Sequence, residues 1–186
     1  NDHAGGLAAI QRAFPIGRLN HSDPERASNG DCELQDPWIW DDVRFQFLKS
    51  RPDISQNINN RSCVLQVVGP YGSLLLTGDI ERQAEQTLVR RYGDDLKVDI
   101  LQVPHHGSKT SSGPTFLAAT QPLIALFSRG SANRFGHPAP EIKRRYEQLG
   151  IRIFDTAERG QLNLETTGQG WSIKTFADTQ IRFWHH

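Results

Sequence analysis

The sequence predicts a mixed α/β fold in which a sheet carries helices on one face. Two short apolar runs, at 98–103, which is rich in β-branched residues, and at 123–128, are too short for helices and read as buried strands. Around them lie segments of helical period. Ala84, Leu88 and Tyr92 share a face over 81–92, and Ile142, Tyr146 and Leu149 share one after Pro140. A length of 186 residues suits one domain.

The remaining elements follow in order. Leu7, Ile10 and Phe14 predict a helix over 6–14, stopped by Pro15. Residues 16–19 read as a short strand, and 20–31 as a polar loop holding a solvated His21. Trp38 and Trp40, then Val43, Phe45 and Phe47, alternate with their neighbours, which predicts half-buried strands around a tight turn at Asp41-Asp42. Residues 53–61 are a polar loop. Residues 62–68 and 73–77 form a hairpin across Gly69-Pro70-Tyr71-Gly72. Gly93 closes the helix 81–92, Pro114 opens a short helix to 119, and Gly150 caps the helix that Pro140 opens. The last strands are 151–154, 161–165 and 171–176. Lys143, Arg144 and Arg145 read as a solvated helix face.

Composition narrows the function classes. With 21 basic and 21 acidic residues the net charge is zero, which excludes a module whose nucleic-acid affinity comes from overall charge but leaves room for a local basic cleft. No apolar run approaches the roughly 20 residues of a membrane helix. Cys32 and Cys63 have no CxxC neighbour, so a zinc knot is not expected. Their pairing as a disulfide is left open by the sequence. The absence of Met leads us to expect a piece of a longer polypeptide.

Chemistry concentrates at three places. In VDILQVPHHGSKTSS, residues 98–112, Pro104 ends a buried strand, and His105 and His106 stand at its C-terminal tip, well placed to ligate a metal. A surface His pair beside a turn is the plain alternative. In SLLLTGDIERQAE, residues 73–85, Asp79 follows another strand tip, where a carboxylate can bridge two divalent cations. At the start, Asp2-His3 directly precedes Gly5-Gly6 and a helical pattern.

DHAGG, LLTGD and HHGS, in this order, resemble the metallo-β-lactamase superfamily. NRSCVLQV, LLLTGDIERQAEQTL, FLAATQP and NRFGHPAPEI extend the likeness, to about residue 166, to the C-terminal domain of ComEC-type DNA-uptake channel proteins. The resemblance implies an αββα sandwich whose first strands precede Asn1. It implies a metal set of Asp2, His3, Asp79, His105 and His106, with Asp2-His3 matching the end of the HxHxDH signature. Which of His105 and His106 is the ligand stays open. Most members carry a metal-binding His before the strand leading to GD. Here Asn59-Asn60-Arg61-Ser62 stands instead, an oxygen-rich set that favours manganese or magnesium over zinc.

The implied activity is that of a metal-dependent nuclease domain of a competence channel, active in transformation. Up to two divalent ions, Mn2+ foremost and Zn2+ or Mg2+ otherwise, would activate a water against a phosphodiester of the non-imported strand. Asp79, His105, His106 and His137 are the expected catalytic residues, His137 as general acid or ligand. Lys109 and Arg134 are expected to face DNA phosphates. Expected partners are DNA and the rest of the same polypeptide, its membrane channel and OB-like domains. The domain itself would be soluble, on the periplasmic face of the inner membrane. Lacking the upstream strands, the chain is expected to bind metal poorly and to cut DNA slowly or not at all. A non-catalytic DNA-guiding domain and a hydrolase of another phosphodiester are the alternatives.

Overall fold

Seven strands form the main sheet of the computed structural model, which describes residues 5–22, 30–52 and 57–179. A short helix α1 (Leu7–Ala13) comes first. Strands β1 (Trp38–Trp40), β2 (Val43–Leu48), β3 (Val64–Gly69) and β4 (Gly72–Leu76) then run as an antiparallel meander. Asp41 and Asp42 both take positive φ, 48° and 63°, as the two-residue hairpin turn between β1 and β2 requires. Strands β5 (Ile100–Gln102), β6 (Ile124–Phe127) and β7 (Arg152–Asp155) continue the sheet in parallel with β4.

Parallel strands need crossovers. Three helices supply them: α2 (Arg82–Tyr92), α3 (Pro114–Thr120) and α4 (Pro140–Gln148). Ala84, Leu88, Phe116, Leu117, Ile142 and Tyr146 pack from these helices onto Leu75, Leu101, Ala125 and Phe127 of the sheet. On the opposite face the hairpin of β8 (Leu162–Thr167) and β9 (Gly170–Thr175) brings Leu162, Leu164, Trp171 and Ile173 against Ile100, Ile124 and Leu126. Two short helices, α5 (Thr156–Arg159) and α6 (Phe176–Thr179), complete the described residues. No helix among these is long and apolar enough to cross a membrane.

Several expectations need correction. Residues 16–19 form no strand. A strand exists by pairing, Gly17 weakens this segment, and only an isolated bridge between His21 and Asp31 forms nearby. Within the expected polar loop 53–61, Ile58–Arg61 is a 3-10 turn, because the Asn57 side chain accepts the Asn59 N–H at 2.9 Å. The helices α5 and α6 were unforeseen. The Asp155 side chain caps α5 by accepting the Ala157 N–H at 2.8 Å. Arg145 is half-buried rather than fully solvated and donates to the carbonyl of Ser112.

That last bond belongs to a buried polar lock. The Glu85 carboxylate, 1% exposed, accepts the N–H groups of Ser112 and Gly113, and the Ser112 hydroxyl meets the Tyr146 hydroxyl at 3.0 Å. Helices α2 and α4 thus clamp the end of the loop that carries the histidine pair. Burial pushes the Glu85 carboxyl up to about 7 from 4.5, against the pull of the two N–H groups and of Arg82 and Arg145. A carboxyl whose folded pKa stands above its unfolded value stabilises the fold fully below the unfolded value. That contribution is lost as pH rises through the folded one. Relative to Glu85→Gln, the parent is therefore expected to lose roughly 3 kcal/mol of stability as pH rises from 4.5 to about 7. Urea unfolding of both chains across that window measures the difference, and a flat difference refutes the shift.

Candidate metal centre

The C-terminal ends of β4, β5, β6 and β7 lie side by side, which is where open α/β sheets place their sites. Each end contributes a piece. After β4, Thr77 and Gly78 donate their N–H groups to the Gln102 side-chain oxygen, both at 3.0 Å, so the Gly78-Asp79 turn is tied to β5. Gly78 takes φ +56°, and a Cβ there would come within 2.9 Å of the Ser62 Cβ. That close approach lets the Ser62 hydroxyl accept the Asp79 N–H at 3.0 Å while donating to the Asn59 carbonyl at 2.8 Å.

After β5 the chain turns sharply at the histidines. His105 (φ 49°, ψ 42°) and His106 (φ 55°, ψ 19°) are both left-handed, a conformation that persists only where the surroundings enforce it. His105 N–H donates to the Gly78 carbonyl at 3.0 Å, and the Ser111 hydroxyl donates to the Pro104 carbonyl at 2.8 Å. Gly107 has no room for a side chain, since a Cβ would meet Phe127 and Pro138 at 2.7 Å. The HHG turn is thereby docked onto the loop that follows β6.

The backbone twist sends the adjacent imidazoles to different partners. His106 Nε2 stands 3.4 Å from Asp79 Oδ1. Its Nδ1 lies 2.6 Å from the Ser128 carbonyl, which can only accept, so Nδ1 carries the proton and Nε2 of the neutral ring is an acceptor. A carboxylate lone pair and an imidazole lone pair thus face each other. His105 Nδ1 instead lies 3.4 Å from Glu81 Oε1. Its ring stands 5.7 Å from that of His137. Burial, then the neighbouring His105 and His106, lower the His137 pKa, while Asp79 opposes. His137 is therefore held neutral and suits a base or ligand better than a general acid at neutral pH.

The donors fit a divalent ion. Two tetrahedral ligands about 2.1 Å from a common ion lie roughly 3.4 Å apart, and Asp79 and His106 show that separation. A backbone carbonyl fixing the distal nitrogen is the usual support of a ligating imidazole. Among the described residues no group of three or more His, Cys, Asp or Glu side chains converges closely enough to hold an ion. Asp2 and His3 lie outside the described residues.

The Metallo-beta-lactamase superfamily profile matches residues 1–130 of the chain. The chain belongs to the metallo-beta-lactamase superfamily. It is 34% identical over its full length to the uncharacterized protein YcaI of Escherichia coli. It is 38% identical over 87% of its length to competence protein ComA of Neisseria gonorrhoeae, and 35% identical over 88% to recombination protein 2 of Haemophilus influenzae. The chain spans 24%, 23% and 21% of these relatives, about a quarter or less of each. The likeness to competence proteins read from the motifs thus extends over most of the chain.

Within this metallo-beta-lactamase domain, Asp79, His105, His106 and His137 come together, Arg134 flanks them through the Phe135 ring that stacks on His137, and Lys109 reaches away to the helix α4. The Arg134 guanidinium lies 5.0 Å from the centroid of the Phe135 ring. Lys109 is well exposed and pairs with Glu141 at 3.8 Å. Sequence reasoning missed Glu81, whose carboxylate accepts from Asn59 Nδ2 at 2.9 Å and faces His105. Its signal was the acid two residues after Asp79. Also missed was the brace behind Ser128. Arg129 Nε donates to the buried Asp155 at 2.7 Å, and the Thr156 hydroxyl both accepts the Arg129 N–H and donates to its carbonyl, each at 2.9 Å.

Proposed function

We propose that the domain is a metal-dependent nuclease of a competence DNA-uptake channel, cutting phosphodiester bonds of the strand that is not imported. The observation that carries this reading is the meeting of Asp79 with His106 Nε2 at the C-terminal end of the parallel strands. Asp79 and His106 would hold the ion, joined by Asp2 and His3. A divalent ion at such a site lowers the pKa of a water and neutralises charge on the phosphate. The carboxylates of Asp79 and Glu81, with no imidazole in the Asn59-Asn60-Arg61-Ser62 stretch before the strand leading to them, support manganese.

The chain's own residues then divide the work. Glu81 orients His105, which we assign to proton transfer at the leaving oxygen. His137, held neutral, is the second candidate for taking a proton. Arg134 offers a guanidinium to phosphate. Lys109, further out and paired with Glu141, is the weaker DNA contact. The Cys32–Cys63 disulfide supports a place on the periplasmic face, because disulfides persist in oxidising compartments. We assign residues 1–186 to a single domain of a longer membrane polypeptide, and the greater length of the relatives supports the longer polypeptide.

The test uses the full-length protein loaded with Mn2+ and a labelled DNA duplex. His106→Ala is expected to lose both bound manganese and cleavage. His105→Ala is expected to retain the metal and slow cleavage by about 10²–10⁴-fold. If the manganese-loaded parent binds the duplex but never cuts it, the domain guides DNA rather than degrading it. Faster turnover of glycerophosphocholine than of DNA would shift the substrate to another phosphodiester.

A further inference from the structure

The loop after β6 carries an aromatic ring, Phe135, that the metal chemistry does not use. Phe135 is 66% exposed and stands in the same loop as His137 of the polar site. Its ring stacks on His137, with centroids 5.9 Å apart and planes 18° from parallel. The Arg134 guanidinium lies 5.0 Å from the same ring. His137 in turn stands 5.7 Å from His105. A run of flat side chains therefore leads from the histidines of the site out to solvent.

The loop holds this run in place. Asn133 Nδ2 donates to the His137 carbonyl and Asn133 Oδ1 accepts the His137 N–H, both at 2.8 Å, closing a ring around Phe135. Gly136, at φ +67°, supplies the left-handed turn inside that ring. Pro138 and Ala139 anchor the loop on Gly107, whose carbonyl accepts the Ala139 N–H at 2.9 Å. Phe135 is thus presented outward by a braced turn. Its exposed area contributes nothing to the core.

A large exposed aromatic ring beside a guanidinium is the chemistry that receives flat π-systems next to phosphates. We propose that Phe135, with Arg134, is a stacking platform for an unpaired nucleobase adjacent to the phosphodiester held at the metal centre. This inference rests on the nucleic-acid reading of that centre and adds what the site recognises besides phosphate. Bases inside a duplex already stack on one another, so the platform takes a base from a single strand, a frayed end or a gap. Stacking of this kind tolerates every base, so it confers preference for unpaired strands without preference for sequence.

Binding, measured without cleavage, decides the matter. Fluorescence anisotropy in EDTA would compare the full-length protein's affinity for a labelled oligothymidylate with that for an abasic oligonucleotide of equal length and equal phosphate count. Phe135→Ala is expected to weaken oligothymidylate binding about tenfold. It should leave abasic binding unchanged, and Phe135→Trp should restore the parent's affinity. Equal loss on both probes, no loss on either, or a parent indifferent to the presence of bases would each overturn the platform. A base-dependent loss in a protein that never cuts would uphold the platform and overturn the nuclease reading.

Discussion

Replacing Asp79 by Ala is expected to reduce phosphodiester cleavage at least a thousandfold. Asp79 is placed by its backbone before its side chain does anything. Its N–H is fixed by the Ser62 hydroxyl at 3.0 Å, and the preceding glycine is tied to Gln102 at 3.0 Å. From that fixed backbone the carboxylate reaches His106 at 3.4 Å. Removing it deletes the negative charge that would neutralise a cation and leaves one imidazole of the pair. Loss of a single fixed electrostatic group at a reacting centre costs about 10²–10³-fold, and loss of a ligand adds the weakened hold on the ion. Asp79→Asn keeps the shape and removes the charge, so it should fall nearly as far. Cleavage of labelled duplex by the manganese-loaded full-length variants, with metal content measured alongside, checks this. An Asp79→Ala variant that cuts as fast as its parent would place the nuclease centre elsewhere.

Much of this arrangement was legible because it rests on strand ends. The apolar runs that became β4, β5 and β6 fix where the chain leaves the sheet, and Asp79, the histidine pair and Ser128 lie within four residues of those ends. Parallel neighbours leave the sheet at the same edge, so linear order becomes spatial convergence. Two adjacent histidines could not be told apart in the sequence, because their division depends on two consecutive left-handed residues. A regular strand would have alternated them across the sheet. Glu81 looked like an ordinary acid at a helix start, and only its approach to His105 gives it a role. Asn59 and Ser62 were weighed as substitutes for a metal-binding imidazole. Their hydrogen bonds instead go to Glu81 and to the Asp79 backbone, so they support the acidic turn. Arg145 followed the period of an exposed face, yet a long side chain can reach back along its helix to a buried carbonyl.

The cysteines were the other open question, and their answer reaches the site. Cys32 and Cys63 are joined across 31 residues, with Cα atoms 5.8 Å apart. Around Cys32 the chain is also held by charge. Arg51 forks onto Asp31 with two bonds, 2.6 and 2.7 Å, which lowers the Asp31 pKa, and Glu33 accepts the N–H groups of Ser50 and Arg51 at 2.7 and 2.8 Å. Cys63 directly follows Ser62, the residue that holds the Asp79 N–H. The crosslink therefore ties the segment ending at Leu34 to the turn beneath the acidic motif. Closing a loop of 31 residues restricts the unfolded chain enough to stabilise the fold by about 3–4 kcal/mol. The Cys32→Ser, Cys63→Ser double variant is expected to lose that amount in urea unfolding. Because Ser62 loosens with it, manganese affinity should fall by about 10–100-fold, as for other losses of support behind a ligand. Reduction of the parent with dithiothreitol should reproduce both effects. Unchanged unfolding in the double variant, or both thiols reacting with maleimide in protein isolated without reductant, would show that the crosslink does not form and would remove its support for a periplasmic site.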